Sequence, residues 1–337
     1  MIKYADYIRR LEIKSLWSGH KHIVWELQPG VNVLSGGNGA GKSTILNRME
    51  QHLRTAPVSG EIVGGTHLGV TIDFSPSDAT NIRYDIIRSF DRQLLQSDRL
   101  RTLTDAAVST ELDWQLYQLQ RRYLDYQVNV GNRMIQLLTS GAPNAKEEAT
   151  EASAYKTMFL DLVDDLFSET GKRIDRTSNE LSFVQFGEQL SPYKLSSGEK
   201  QMLIILLTAL TQDRQPYVLF MDEPEASLHF EWQKRLIDMV LQLNPNVQII
   251  LTTHSPAVIM NGWQDTVTEV SDITETSATA TVTAEEGCKI LMGYIDPAVT
   301  KADTESPFDF EGKSEEEIRN YIVGAANSIP EIYTEPV

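Results

Sequence analysis

Apolar residues gather along this chain in two ways, as short uninterrupted runs and as longer repeats at helical spacing. The segment Val31 to Leu34 is apolar with one polar interruption and gives way to glycine, which predicts a buried strand ending in a turn. Val218 to Met221 is a continuous apolar run that stops at Asp222-Glu223. Val247 to Leu251 predicts the next buried strand, ending at Thr252, Thr253 and His254. Runs of this kind fit central parallel strands covered on both faces. The stretch KLSSGEKQMLIILL, Lys194 to Leu207, predicts a helix apolar enough to be buried that nevertheless opens on small polar residues.

Between Asn81 and about Arg176 the spacing becomes helical. The segment YDIIRSFDRQLLQSDRLRTL has apolar residues three and four apart, and WQLYQLQRRYLDYQVNVGNRMIQLL and AYKTMFLDLVDDLFSET continue the pattern. Beyond His254, VTEVSDITETSATATVTAEE predicts a final hairpin. The acidic tail contains SEEEIRNYIVGAA, with Ser314 as N-cap and Glu317 three residues later.

Composition narrows the picture only at a few points. A chain of 337 residues accommodates one large α/β domain with an insertion, or two modest domains. No apolar run is long enough to span a membrane, and the N-terminus has no apolar signal region. The single cysteine, Cys288, has no internal partner, which fits a reducing cytoplasm. The formal net charge of −17 opposes a dedicated nucleic-acid module. Arg83, Arg88, Arg92, Arg99, Arg101, Arg121, Arg122 and Arg133 could form a local basic stripe. They are interleaved with Asp85, Asp91, Asp98 and Asp125, so a salt-bridged solvated face is the favoured reading. A partner-docking surface is a third, which the tyrosines and tryptophan of this region suit.

Candidate chemistry sits at the strand ends. Gly36-x-x-x-x-Gly41-Lys42-Ser43 follows a predicted strand and opens a predicted helix, which is the P-loop arrangement. Glycines leave backbone N–H groups free to wrap phosphate oxygens, and the helix N-terminus adds its positive dipole end. Lys42 is expected to reach the β- and γ-phosphates, and Ser43 to put its hydroxyl on Mg²⁺. Asp222 and Glu223 end a strand where open α/β sheets bind ligands. We expect Asp222 on Mg²⁺ and Glu223 polarising the attacking water. His254 ends the next strand and is expected to contact the γ-phosphate.

The order P-loop, LSSGEKQ, FMDEPEASLH, TTHS resembles an ABC-type ATPase head, and more narrowly the soluble branch of SMC-like, RecF-like and OLD-family ATPases. The resemblance covers Ile8 to Leu53 and Leu181 to about Val267. It implies an α/β P-loop fold of ABC type, with an N-terminal β-lobe, a mostly parallel central sheet and a compact helical insertion. The implied organisation is an ATPase lobe with the P-loop in 1–80, a helical insertion in 81–180, a second ATPase lobe with signature, Walker B and switch histidine in 181–283, and an acidic tail in 284–337. It implies ATP and Mg²⁺ as ligands, with Gly36, Asn38, Gly39, Ala40, Gly41, Lys42, Ser43 and Thr44 as nucleotide contacts. Glu223 is implied as catalytic base, His254 as switch histidine, and Glu225 to His229 as the D-loop. Ser196 and Gly198 are implied to donate to the γ-phosphate of an ATP bound to a second copy, so the polar opening of the helix would face another molecule's nucleotide. The alternative for Ser196 and Ser197 is an ordinary N-cap, and the two roles are compatible.

Two departures accompany the resemblance. The segment TIDFSPSDATN holds no glutamine where such ATPases carry the Q-loop. Trp17, His20 and His22 lie near the region where adenine would stack, with core or surface roles as the alternative. The implied function is an ATPase that dimerises head-to-tail around two nucleotides and regulates a partner effector such as a nuclease, by family analogy in bacterial defence against phage. The rivals are a DNA-repair ATPase that grips DNA directly, the ATPase subunit of a membrane transporter, and a non-catalytic nucleotide-gated scaffold.

Overall fold

The computed structural model describes residues 3–16, 21–59, 65–67, 69–88 and 108–275. Among the described residues, thirteen strands and six α-helices follow one another. They are β1 (Tyr7–Leu16), β2 (Lys21–Glu26), β3 (Val31–Ser35), α1 (Lys42–Ser59), β4 (Gly65–His67), β5 (Val70–Ser75), β6 (Tyr84–Arg88), α2 (Glu111–Thr139), α3 (Ala145–Phe167), β7 (Lys172–Ile174), β8 (Phe183–Gln185), β9 (Glu188–Leu190), α4 (Ser197–Thr211), β10 (Tyr217–Asp222), α5 (Phe230–Leu243), β11 (Val247–Thr252), α6 (Pro256–Ile259), β12 (Val267–Glu269) and β13 (Thr274–Glu275). Residues 1–15 and 22–276 cluster as one compact unit.

The central sheet runs β12-β3-β11-β10-β6, and every pairing in it is parallel. The apolar runs explain its middle: β11 is buried at all six positions and β10 at four of six. A second sheet, β13-β2-β1-β5-β4, is the N-terminal β-lobe. Its strand β5 alternates buried and half-buried side chains, the signature of a sheet with one covered face. A small antiparallel meander, β7-β8-β9, precedes α4.

The segment expected to be helical from Tyr84 is corrected. Tyr84–Arg88 is a strand, pairing with the edge of β10 from Val218↔Tyr84 to Asp222↔Arg88. The adjacent β-branched Ile86 and Ile87 suit an open parallel ladder better than a helix turn. The remainder of that predicted helix, with Arg92, Arg99 and Arg101, lies outside the described residues. The final hairpin is corrected as well. Val267–Glu269 pairs with β3, whereas Thr274–Glu275 pairs with β2 in the other sheet. Cys288 and the tail segment at 314–326 also lie outside the described residues.

Two long helices form the described part of the insertion. Helix α2 starts at a capping box, Thr110 with Asp113, and buries Leu112, Leu116, Leu119, Tyr123, Tyr126 and Val130. Several arginines of α2 and of the preceding strand β6 meet acids on other elements. Arg88 meets Glu50 at 2.7 Å, Arg122 meets Asp85 at 2.6 Å and Arg133 meets Asp213 at 2.7 Å. Arg83 lies over the Tyr4 ring. Three of these four are paired with acids, which come mostly from across the fold rather than from the same helix, and Arg121 is exposed.

Helix α4 is buried from Gly198 to Leu210, on every side rather than along one stripe. It packs against α2, α3 and α5. Its first turn is tied to the insertion by two buried ion pairs. Glu199 meets Lys172 at 2.8 Å, and Lys200 meets Asp113 at 2.8 Å. Burial opposes the charge of Glu199, but the Lys172 ammonium and the Ser196 N–H and hydroxyl outweigh it and hold the carboxyl below its ordinary range. Asp113 is likewise lowered against burial, by Lys200 and the Ser109 N–H. Both acids therefore bind protons more weakly folded than unfolded. Their stabilisation is complete above the unfolded value of about pH 4 and is lost as pH falls through the depressed folded values. Thermal melts should show Glu199→Gln less stable than the parent at neutral pH, with the gap narrowing below about pH 4.

Candidate functional site

Register places the site. Asp222 on β10 pairs with Thr252 on β11, and Thr252 pairs with Leu34 on β3. One row of the parallel sheet thus ends in the residues that precede the P-loop, the acid pair and the switch histidine. Chain leaving these strands emerges on the same edge, where ligands bind in open α/β sheets.

The loop after β3 turns sharply. Gly39 has φ +77° and Gly41 φ +105°, a region that glycine adopts without strain. A Cβ on Gly36 would stand 3.3 Å from the Ala40 Cβ and 3.5 Å from Val270 Cγ2. The cradle is therefore closed from behind by a side chain just past β12. Asn38 and Gly39 are exposed at its crest. Ala40 N–H donates to Gly37 O at 3.1 Å, and Ile45 N–H to Gly41 O at 2.9 Å, which starts α1 with Lys42, Ser43 and Thr44 in its first turn.

Lys42 is only 5% exposed. Its ammonium donates to Gly36 O at 2.9 Å and Gly37 O at 3.3 Å, and lies 2.7 Å from His254 Nε2. The same Nε2 is 3.1 Å from Glu223 Oε1. A neutral imidazole uses Nε2 either to accept from Lys42 or to donate to Glu223, so the histidine has two competing partners. Ser43 Oγ donates to Asp222 Oδ1 at 3.0 Å, and Thr252 Oγ1 donates to the same oxygen at 2.6 Å. Glu223 has φ +46°, an uncommon conformation for a side-chain-bearing residue. Its N–H donates to Thr252 Oγ1 at 3.0 Å, so Thr252 fixes both acids of the pair.

These five expected residues, Lys42, Ser43, Asp222, Glu223 and His254, come together. The set fits a nucleotide with Mg²⁺: a loop turned through left-handed glycines at Gly39 and Gly41, a buried ammonium, and a hydroxyl beside a carboxylate. No group of three or more His, Cys, Asp or Glu able to hold a metal occurs among the described residues. Mg²⁺ takes one or two protein oxygens and completes its shell from phosphates and water.

Ser196 and Gly198 make their contacts elsewhere, at the start of α4. Ser196 forms a capping box: its Oγ accepts from Glu199 N at 3.3 Å and donates to Glu199 Oε2 at 3.0 Å. The N-cap reading is thus satisfied, and Ser197 stands exposed beside it. A Cβ on Gly198 would come 2.4 Å from Ser227 O, so the D-loop backbone lies directly against the signature glycine within one chain. His22 is engaged between Glu12 at 3.2 Å and Glu275 at 3.0 Å. Trp17 and His20 lie outside the described residues.

Thr252 is a site residue that sequence reading left without a role. Its signal was a hydroxyl at the last position of an apolar run. Gln233 is another: it accepts from Ser255 Oγ at 2.6 Å and donates to Leu228 O at 2.9 Å, joining the D-loop to the histidine loop. Nothing in the pattern of α5 distinguishes it from a surface glutamine.

Comparison with known proteins places residues 49–261 within the family described as AAA domain, putative AbiEii toxin, Type IV TA system. The retron Vc95 probable ATPase of Vibrio cholerae serotype O1 biovar El Tor is 27% identical over 113 residues, 30% of this chain. The chain spans only 22% of that relative's length. The lipoprotein-releasing system ATP-binding protein LolD of Aquifex aeolicus is 27% identical over 258 residues, 74% of this chain and 88% of LolD. Among solved structures, an SMC head bound to the C-winged helix domain of ScpA aligns with a TM-score of 0.44 at 15% identity, over 76% of this chain and 92% of the other.

The close approach at Gly198 gives a direct expectation. Gly198→Ala should destabilise the protein by about 1–3 kcal/mol in urea unfolding, because the added methyl meets a backbone carbonyl rather than a yielding side chain. A variant as stable as the parent would show that the D-loop moves aside freely.

Proposed function

The chain belongs to the AAA-domain family described as putative AbiEii toxin, Type IV TA system, and from that membership we propose that it binds Mg·ATP at the P-loop edge, pairs head-to-tail with a second copy around two nucleotides, and hydrolyses ATP to control a partner effector. It is an ATPase of ABC type. The observation that carries the fuller reading is the convergence of Lys42, Ser43, Asp222, Glu223 and His254 on one sheet edge.

In this reading Lys42 leaves the Gly36 and Gly37 carbonyls for the β- and γ-phosphates. Ser43 and Asp222 are the residues that would hold Mg²⁺, which supplies charge neutralisation at the phosphate oxygens. Glu223 accepts a proton from the attacking water as its oxygen bonds to the γ-phosphorus. The bond from that phosphorus to the bridging oxygen breaks, leaving ADP and inorganic phosphate. His254 donates to the γ-phosphoryl oxygens through Nε2, orienting them as charge builds. The first turn of α4 in the second copy, with Ser196 and Gly198, offers its N–H groups to the same phosphate.

The ATPase lobes are 1–88 and 181–283, since β6 belongs to the central sheet, with the segment carrying α2 and α3 inserted between them, and the protein works in the cytoplasm. The similarity to a retron ATPase supports an effector-controlling output, such as regulation of a nuclease in defence. The similarity to LolD keeps a transporter subunit as the rival. No helix among the described residues is long and apolar enough to cross a membrane. The pairing of Arg88, Arg122 and Arg133 with acids argues against DNA as the direct ligand.

Two substitutions test the proposal. Lys42→Ala should remove measurable ATP binding in calorimetry, and unchanged affinity would sink the P-loop assignment. Glu223→Gln should bind ATP, lose turnover by roughly a hundredfold or more, and accumulate in native mass spectrometry as two chains with two nucleotides. A monomer carrying one ATP would defeat the head-to-tail pairing, and parental turnover would defeat the role of Glu223.

A further inference from the structure

Glu225 is an acid in the D-loop turn, three residues beyond Asp222, and only 8% exposed. One of its oxygens does unusual work. Oε1 accepts from the Thr253 hydroxyl at 2.5 Å, from His254 N–H at 2.9 Å and from Ser255 N–H at 3.3 Å. All three donors belong to the loop that carries the switch histidine. The other oxygen, Oε2, is buried with no hydrogen-bond partner. A buried polar atom left unpaired is costly, and in native proteins such atoms concentrate where a constraint other than stability is being met. Glu225 satisfies the histidine loop at the expense of its own second oxygen.

The surroundings give the contact direction. Gln233 fastens the same two loops from the other side, through Ser255 Oγ and Leu228 O. Ser227, two residues after Glu225, presses its carbonyl against Gly198 of α4. The D-loop therefore touches the signature helix at one end and grips the histidine loop at the other. The backbone N–H of His254 is fixed, and the imidazole hangs from that fixed point toward Lys42 and Glu223.

We propose that Glu225 is the positioning residue of His254: its carboxylate sets the height of the histidine loop, so that displacement of the D-loop at the signature helix is delivered to the imidazole. The inference rests on the reading of His254 as the γ-phosphate contact. Reach matters here, and charge does not, because what is required is one acceptor oxygen at the right place. A glutamine supplies that oxygen; an aspartate, shorter by one methylene, withdraws it.

The experiment is ATP turnover by the full chain with Glu225→Asp, Glu225→Gln, His254→Ala and the Glu225→Asp/His254→Ala double variant. Glu225→Asp should lower kcat roughly ten- to a hundredfold while KM changes by less than about twofold, since misplacing a transition-state contact leaves ground-state binding intact. Glu225→Gln should stay within about threefold of the parent, and the double variant should be no slower than His254→Ala alone. Parental turnover in Glu225→Asp, a glutamine variant as slow as the aspartate, or losses that multiply in the double variant would each overturn the proposal. If Glu225→Asp fails to fold, Thr253→Val removes one donor without touching the carboxylate and should lower kcat in the same sense; parental kcat there would overturn it. A parent that binds ATP without turning it over would count against the hydrolysis reading alone. Glu225 is then read from the His254 imidazole resonances in NMR, which should move in Glu225→Asp and hold in Glu225→Gln; the reverse would overturn the inference.

Discussion

Everything at the candidate site hangs on the alignment of three parallel strands. Leu34, Thr252 and Asp222 share one row, and a slip of one residue in any pairing would turn the side chains of that strand to the opposite face. The register is enforced from beneath by the fully buried β11, whose side chains are packed on both faces. Thr252 then converts the alignment into chemistry. Its hydroxyl donates to Asp222 and accepts from the Glu223 N–H, so one group orients the acid facing Ser43 and the backbone turn of the acid facing His254. The left-handed conformation of Glu223 is tolerated because two acceptors on Thr252, the hydroxyl and the carbonyl, both hold its N–H.

Much of this was legible in the chain. Mostly apolar runs ending in polar clusters marked where β3, β10 and β11 stop, and a phosphate-type loop, an acid pair and a histidine stood at those ends. The parts that were not legible share a physical cause. Tyr84–Arg88 reads as helix because five residues are too few to separate the two periods, and its identity as a strand depends on the open edge of β10. The strands after His254 read as a hairpin because sequence proximity favours pairing, yet one joins β3 and the other β2. Gln233 gave no signal and Glu225 stood out only as the first residue of the implied D-loop, since the contacts of both are set by loops brought together in three dimensions.

Charge behaves in the same local way. The chain carries a net charge of −17, yet the first turn of α4 is organised by two lysines buried against two acids. Each of these acids also closes a capping box, Asp113 for α2 and Glu199 for α4. Removing one partner from such a pair leaves a buried charge uncompensated, a larger loss than the pair's own attraction suggests. The glycine at 198 adds a purely steric condition to the electrostatic ones, because Ser227 O occupies the space any side chain would need.

Because α4 is enclosed on all sides and pinned to the foot of α2 through Lys200 and Asp113, neither can pivot without carrying the other. Helix α2 has 29 residues, which at 1.5 Å per residue makes an arm about 43 Å long. Further along, Arg133 of α2 is tied to Asp213 just past the end of α4, so the two helices are braced at both ends of α4 and form one strut rather than two independent rods.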